Sequence, residues 1–314
     1  MRDGRRHSCV DTDTPKQRVA VTGASGLLGR ALVSRLIANG FQVVAGIRRE
    51  DVPFPEGTVK QVLDLFDINS IRRFVQIASA DWVIHCAAIT DVDRCEREPA
   101  TAEAVNATAT RQLMSAVGET ACSVLYISTD YVFDGRSGPK CENDTPNPIN
   151  VYGNTKLQGE KAVAEAGSRH AIVRSSSFLG VGGPDRPTFA ESMVRHMQNS
   201  PPLLVATDQR SNITPVEYLA AAIIEIVAAG HSGLWHAAGA EILSRYDFAL
   251  RLARLFGLSE RVVEPVPYGA LHRAAARPLD GGLQTVRRLT AQPIPLDEAL
   301  IQWRSAYLSR STAR

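Results

Sequence analysis

Apolar runs and amphipathic stretches alternate along this chain from residue 18 onward. "RVAVTG" is a β-branched run ending in glycine. "LLGRALVSRLIANG" follows, with Leu28, Leu32 and Leu36 at helical spacing and Gly40 as a stop. "FQVVAGI", "DWVIHCAA", "SVLYIST", "HAIVRSSS", "PLLVA" and "GLWHAAG" repeat the strand signal, with a polar stretch after the first of these. "TAEAVNATATRQLMSAVGE" reads as a helix. Strands buried on both faces are continuously apolar rather than alternating. The alternation of strand and helix therefore predicts an α/β fold with a parallel sheet wrapped by helices. After about residue 233 the pattern loosens. "SRYDFALRLARLFGL" reads as one helix, "RVVEPVPYGAL" as a short strand and turn, and "LDEALIQWRSAYLS" as a closing helix. The C-terminal third is expected to be a smaller lobe over the open end of the sheet.

Composition narrows the function. The chain has 314 residues, 44% hydrophobic and 22% charged, enough for one two-lobed unit or two domains. A net charge of +2 offers no basic field for nucleic acid. The longest apolar run, Tyr218 to Gly230, is interrupted by Glu225 and falls short of the roughly 20 residues that span a bilayer. Residues 1–17 are polar, lack the apolar core of a secretion signal and read as a flexible tail. Cys9, Cys86, Cys95, Cys122 and Cys141 form no Cys-x-x-Cys pair and sit at no zinc-finger spacing. Five scattered cysteines suit a reducing cytoplasm and read as unreactive thiols. No metal site is expected, and His85 and His236, in apolar strand contexts, read as structural.

"VTGASGLLGRAL" places Gly23, Gly26 and Gly29 between the first strand and the first helix. Gly23 permits a tight turn, Gly26 lets backbone approach a pyrophosphate, and Gly29 allows close helix–strand packing. Ser25, Leu27 and Leu28 share that turn, where free N–H groups at a helix start face phosphate oxygens. The context, strand before and helix after, predicts dinucleotide binding. An acidic residue roughly 20 positions on would hold NAD ribose hydroxyls. Here the second strand runs into Arg48 and Arg49, and two guanidiniums favour the 2′-phosphate of NADP over NAD. Glu50 or Asp51 curling back is the competing arrangement.

"SVLYISTDYVFDG" ends a strand at Ser128 and Thr129, and "NVYGNTKLQGEK" sets Tyr152 and Lys156 four positions apart. Ligands in open α/β sheets sit beyond the carboxyl ends of strands, and i, i+4 residues share a helix face. Thr129, Tyr152 and Lys156 are therefore candidates to gather at a nicotinamide. A phenol of pKa about 10 exchanges protons poorly at neutral pH, and a neighbouring ammonium is expected to lower that value. The Thr129 hydroxyl would polarise a substrate carbonyl.

Taken together, Gly-x-x-Gly-x-x-Gly, the strand-end Ser-Thr and Tyr-x-x-x-Lys resemble the extended short-chain dehydrogenase/reductase superfamily. "STDYVFDG" followed by "PNPINVYGNTKLQGEKAV" is similar to the dTDP-4-dehydrorhamnose reductase family, and "HCAAITDVDRCEREP", "NATAT", "DQRSNITP" and "ARPLDGGL" fall in that family's order. The likeness covers nearly everything after residue 17. It implies a Rossmann-type doubly wound sheet over residues 18–173 and roughly 203–240, and a substrate lobe from roughly 174–202 and 241–314. It implies NAD(P)H-dependent reduction of a nucleotide-linked 4-keto-6-deoxyhexose in the cytoplasm, with a homodimer compatible. By the same resemblance, Thr129, Tyr152 and Lys156 form the catalytic triad, Tyr152 and Lys156 also touching the cofactor. Cys86, Ala87 and Ala88 line the cofactor, and Asp64 and Leu65 flank the adenine. Thr90, Val92, Asp130, Tyr131 and Arg277 line the sugar pocket. Asp130 and its neighbours also suit plain turn chemistry, and Tyr131 a core position.

Three positions depart from the family pattern, more around the substrate than the cofactor: Gly281 stands at a serine, Ser177 at an aromatic, and Cys86 at an asparagine. Two other readings accompany the reductase. A nucleotide-sugar dehydratase or epimerase would carry an Asp-Glu pair after the catalytic threonine, whereas this chain has Asp130-Tyr131. "VTGASGLLGRA", "GIRR" and "YISTDYVFDG" also resemble the regulatory β subunit of methionine adenosyltransferase, an NADP-binding partner protein.

Overall fold

The computed structural model describes residues 17–167, 169–183, 187–199 and 201–312. The tail expected over residues 1–17 lies, apart from residue 17, outside the described residues.

Six strands enter in order: β1 (Arg18–Thr22), β2 (Gln42–Ile47), β3 (Thr58–Val62), β4 (Trp82–His85), β5 (Ser123–Thr129) and β6 (Ala171–Ser175). Four short strands come next, β7 (Phe178–Leu179), β8 (Leu203–Ala206), β9 (Arg210–Asn212) and β10 (Thr214–Pro215). β11 (Gly233–His236) then rejoins the main sheet, ahead of β12 (Ile242–Ser244) and β13 (Val263–Val266). The central sheet has seven strands in the order β11-β6-β5-β4-β1-β2-β3. Every pairing in it is parallel, so all seven carboxyl ends open on one edge. This is the parallel α/β sheet that the apolar runs predict, in the Rossmann-type arrangement that the resemblance implies.

β1 explains the two-faced core. Val19 and Val21 point to one face, where Leu28, Leu32 and Leu36 of α1 (Leu27–Ala38) meet the sheet beside Leu219, Ile223 and Val227 from a later helix. Ala20 points to the other, among Ile71 and Phe74 of α2 (Ile68–Ala78) and residues Leu113 and Val117. The polar stretch after β2 contains both β3 and α2, which the apolar pattern alone misses. β3 is an edge strand with mostly exposed or half-buried side chains, so it carries no apolar run.

The helix expected over "TAEAVNATATRQLMSAVGE" comes after the short α3 (Val92–Arg97). It forms in three pieces: α4 (Pro99–Glu103), a wider π-turn over Ala104–Thr108, and α5 (Ala109–Gly118). α6 (Val151–Glu165), α7 (Phe189–Asn199), α8 (Val216–Ala228), α9 (Arg245–Leu255) and α10 (Leu296–Thr312) complete the chain. A separate apolar core joins α7, α9 and α10 through Val194, Phe248, Leu252, Leu300 and Trp303. The "PLLVA" strand forms as β8 but pairs with β13 beside this second core rather than with the central sheet. Among the described residues, no helix is long and apolar enough to cross a membrane.

Candidate active site

Two segments carry the candidate catalytic groups to the carboxyl edge of the sheet. β5 ends at Thr129, and α6 begins twenty-odd residues later after the proline-bearing "TPNPI". Asn150 caps α6: its side-chain oxygen accepts from Gly153 N at 2.8 Å, satisfying one of the orphan amides of the first turn. The Asn150 side-chain amide donates in turn to Ala276 O at 2.8 Å, tying the helix start to a distant loop.

Tyr152, Lys156 and Glu160 stand at i, i+4 and i+8, all buried on one face. Two glycines let that face approach the sheet. A Cβ at Gly153 would strike Tyr131 O, and one at Gly159 would strike the Tyr126 hydroxyl. Glycine inside a helix costs about 1 kcal/mol relative to alanine, and here it secures contact distance.

Thr129 bridges the strand end. Its hydroxyl donates to Asp130 Oδ1 at 3.2 Å and accepts from Tyr131 N at 3.2 Å. Tyr131 and Tyr152 meet edge to face with centroids 5.7 Å apart. Burial pushes the Tyr152 phenol well above its usual range, and a hydrogen bond with the Thr129 side chain pulls it partly back. This corrects the expected direction. The Lys156 ammonium lies 4.0 Å from the Tyr126 ring centroid. Burial lowers Lys156 to about 7, against the upward pull of Glu160 and Cys86. The phenol therefore rests protonated, the form a proton donor requires.

Glu160 is held hard. Arg174 donates to it from Nε at 2.8 Å and from Nη2 at 2.6 Å, and Ser128 donates from its hydroxyl at 2.5 Å. Both charged side chains are almost wholly enclosed, 4% and 6% exposed.

His85 bridges β1, β4 and α5 through Thr22 Oγ1 at 2.7 Å and Thr110 Oγ1 at 3.2 Å. Burial, then Lys156, drive it down to about 3, so it is a neutral strut. His236 contacts Gln284 O at 2.9 Å through Nδ1. Burial raises the thiols of Cys86 and Cys122 to about 12 and Cys95 to about 11, which keeps them protonated. Cys9 lies outside the described residues.

The remaining sequence-predicted residues divide by wall. Gly23 has φ +64, and a Cβ there would stand 2.8 Å from Ala87 Cα, so the glycine turn abuts the Cys86–Ala88 strand end. Ser25 O accepts from Arg30 Nε at 2.9 Å. Gly26 caps α1 without a side-chain bond to Leu27, Leu28 or Gly29, and no acidic residue occupies the first turn. Arg48 and Arg49 are exposed past β2, and Arg49 pairs with Asp51 at 3.4 Å. Asp64, exposed past β3, accepts from Phe66 N at 2.9 Å, with Leu65 half-buried beside it. Val92 packs with Tyr131 and Tyr152, whereas Thr90 is exposed. Arg277 Nη1 donates to Asp93 Oδ1 at 2.9 Å and to Ala275 O at 2.7 Å. Asp130 is enclosed, and burial raises it to about 6 despite the nearby Arg245.

Sequence reasoning assigned no role to Asn106, Asp93, Glu160 or Arg245. Asn106, in the π-turn, accepts from Ile89 N at 2.8 Å and donates to Ile89 O at 3.0 Å and Thr155 Oγ1 at 3.2 Å. It clamps the loop after β4 to α6. Its "NATAT" context and the i+8 register of Glu160 were readable signals. Asp93 and Arg245 had none, because their partners are remote in sequence.

A family model described as the RmlD substrate binding domain matches residues 17–307. The dTDP-4-dehydrorhamnose reductase of Mycolicibacterium smegmatis is 34% identical over 307 residues, 96% of this chain and 88% of its own. The methionine adenosyltransferase 2 subunit beta of Bos taurus is 30% identical over 267 residues, 82% of this chain and 77% of its own. Among solved structures, the dTDP-4-dehydrorhamnose reductase of Bacillus anthracis in complex with NADP superposes with a TM-score of 0.81. That likeness runs at 28% identity over 93% of this chain and 99% of that one.

Proposed function

Because the chain belongs to the RmlD substrate binding domain family, we propose that it is a reductase of the dTDP-4-dehydrorhamnose type, using NADPH to reduce the 4-keto group of a nucleotide-linked 6-deoxyhexose. The observation that carries this reading is that Thr129 ends β5 at the carboxyl edge that also holds the glycine turn, with the buried Tyr152 of α6 brought beside it through Tyr131.

The residues present fit a dinucleotide. Gly26 leaves the first amides of α1 without a side-chain cap, and the absence of acid in that turn suits an anion. Gly23 and the Cys86–Ala88 strand end give the narrow approach that a pyrophosphate and nicotinamide require. Arg48 and Arg49, exposed beyond β2, supply the positive charge that favours a 2′-phosphate, and Asp64 and Leu65 flank the adenine in this reading.

When bound, the reduced nicotinamide supplies the hydride. Thr129 holds the substrate carbonyl oxygen by donating its hydroxyl, which now donates to Asp130. Tyr152, kept protonated by burial, gives its proton to the alkoxide that develops there. Lys156 steadies the resulting phenolate and the nicotinamide ribose, with Glu160 behind it favouring the charged amine. Asp130, Tyr131, Val92, Thr90 and Arg277 form the sugar side.

The test is direct. NADPH absorbance is followed with dTDP-4-dehydrorhamnose as acceptor, and oxidation with formation of the dTDP-6-deoxyhexose is expected. No oxidation, together with capture of a methionine adenosyltransferase catalytic subunit by the purified protein, would replace the reductase reading with the regulatory one.

A further inference from the structure

Arg245 opens α9, directly after the N-cap Ser244, with its backbone N donating to Gln209 O at 2.9 Å. Its guanidinium turns inward. Nη2 donates to Ser177 Oγ at 2.6 Å, Ser177 lies 3.4 Å from Ser211 Oγ, and Cζ stands 4.7 Å from the Phe189 ring centroid. Nη1 is enclosed and has no hydrogen-bond partner, and Arg245 makes no ion pair among the described residues. Its charge acts on Asp130 and Tyr131, both in the proposed sugar pocket, lowering each against the larger effect of burial. Gln209 Nε2 reaches the Tyr131 hydroxyl at 3.5 Å, so Arg245 and Tyr131 share a neighbour.

Small residues stand at two of the positions that depart from the family pattern, Ser177 beside Arg245 and Gly281 beside Asp130. Ser177 contributes only a hydroxyl, and a Cβ built on Gly281 would press on Arg210 O at 3.1 Å and touch Asp130 Oδ2 at 3.9 Å. One arm of a guanidinium is thus enclosed without an acceptor, close enough to act electrostatically on the carboxyl that neighbours the catalytic threonine. Enclosing a charged N–H without an acceptor is costly, so a ligand that supplies the acceptor recovers that cost on binding. A methyl group would not.

We propose that Arg245 is a specificity-determining residue of the sugar pocket, donating Nη1–H to a hydroxyl oxygen of the bound hexose. The inference rests on the reductase reading and adds to it: the sugar turns an oxygen, not its C6 methyl, toward Ser177 and Arg245.

The experiment compares wild type with Arg245→Met, close in length but without donors. Calorimetry with dTDP-rhamnose in the presence of NADP measures sugar binding without turnover, and steady-state kinetics with the keto sugar separates KM from kcat. Expected are a rise in sugar Kd and KM on the order of 10- to 100-fold, a smaller change in kcat, and unchanged NADPH affinity. Arg245→Lys, which keeps the charge but not the planar fork, should fall between. Sugar Kd within about threefold of wild type in Arg245→Met overturns the assignment. If that variant loses NADPH binding, Arg245→Lys decides by the same Kd criterion. Wild type that turns over no keto sugar counts against the reductase reading, while calorimetry still decides Arg245.

Discussion

On the proposed cofactor side, Gly23, Gly26 and Gly29 fall within one strand–turn–helix segment, and what it offers a ligand is backbone. On the sugar side, Arg277 meets Asp93 across 184 residues, Arg245 meets Ser177 across 68, and Asn150 meets Ala276 across 126. The first wall is made of what side chains leave out. The second is made of charged and amide side chains drawn together from distant parts of the sequence, and in Arg245 one donor is left without a partner. A backbone wall accepts one class of ligand and tolerates little change, because a Cβ at Gly23 or Gly29 would collide with neighbouring backbone. A side-chain wall can be retuned position by position, and the departures Ser177 and Gly281 lie there.

The sharpest way to break this contrast is to remove the proposed proton donor, Tyr152. Tyr152→Phe is expected to cut turnover by roughly 10²- to 10⁴-fold with NADPH affinity unchanged, read by fluorescence titration. A parallel loss of NADPH affinity would mean the two walls are one unit.

Glu160 tests the seam behind them. Glu160→Ala strands the Arg174 guanidinium in a site only 4% exposed. Stability should fall by about 3–5 kcal/mol in denaturant titration, because an uncompensated charge stays buried. A loss below about 1 kcal/mol, the level of a surface pair, would show that the pair is solvated in solution.

A pH profile sharpens the comparison further. Lys156, lowered to about 7 by burial and held up by Glu160, carries its charge below that value and loses it above. The kcat/KM for reduction, which reports the free enzyme, should therefore decline as pH rises through about 7. In Glu160→Gln the midpoint should move to lower pH, since an upward influence is gone. A midpoint that stays put would separate Glu160 from the amine.

The smallest effect concerns cofactor choice. Arg48→Ala should raise KM for NADPH about tenfold or less, with NADH hardly affected, because an exposed guanidinium faces solvent screening. Equal effects on both dinucleotides would remove the 2′-phosphate role.

Legibility in the sequence divided along the same line. Continuous apolar runs marked the buried strands of the central sheet, because both faces of those strands meet helices. The edge strand β3 escaped notice, since its side chains face solvent. Thr129, Tyr152 and Lys156 were readable because a strand end and a helical i, i+4 step are local. Arg245 was not, since nothing near "LSRYDF" announces a partner at Ser177. The resting pKa of Tyr152 was misjudged for a related reason. Spacing locates a cation near a phenol, whereas the depth of burial that outweighs it is a property of the whole fold.

The π-turn at Ala104–Thr108 sets the angular phase of α5. At 3.6 residues per turn, adding or deleting one residue rotates the downstream helix by about 100°. Rewinding that stretch regularly would swing Leu113 and Val117 off the sheet and pull Asn106 from Ile89 and Thr155 in the same movement. An insertion or deletion there would break both arrangements at once, so this short segment is constrained in its length as well as at Asn106.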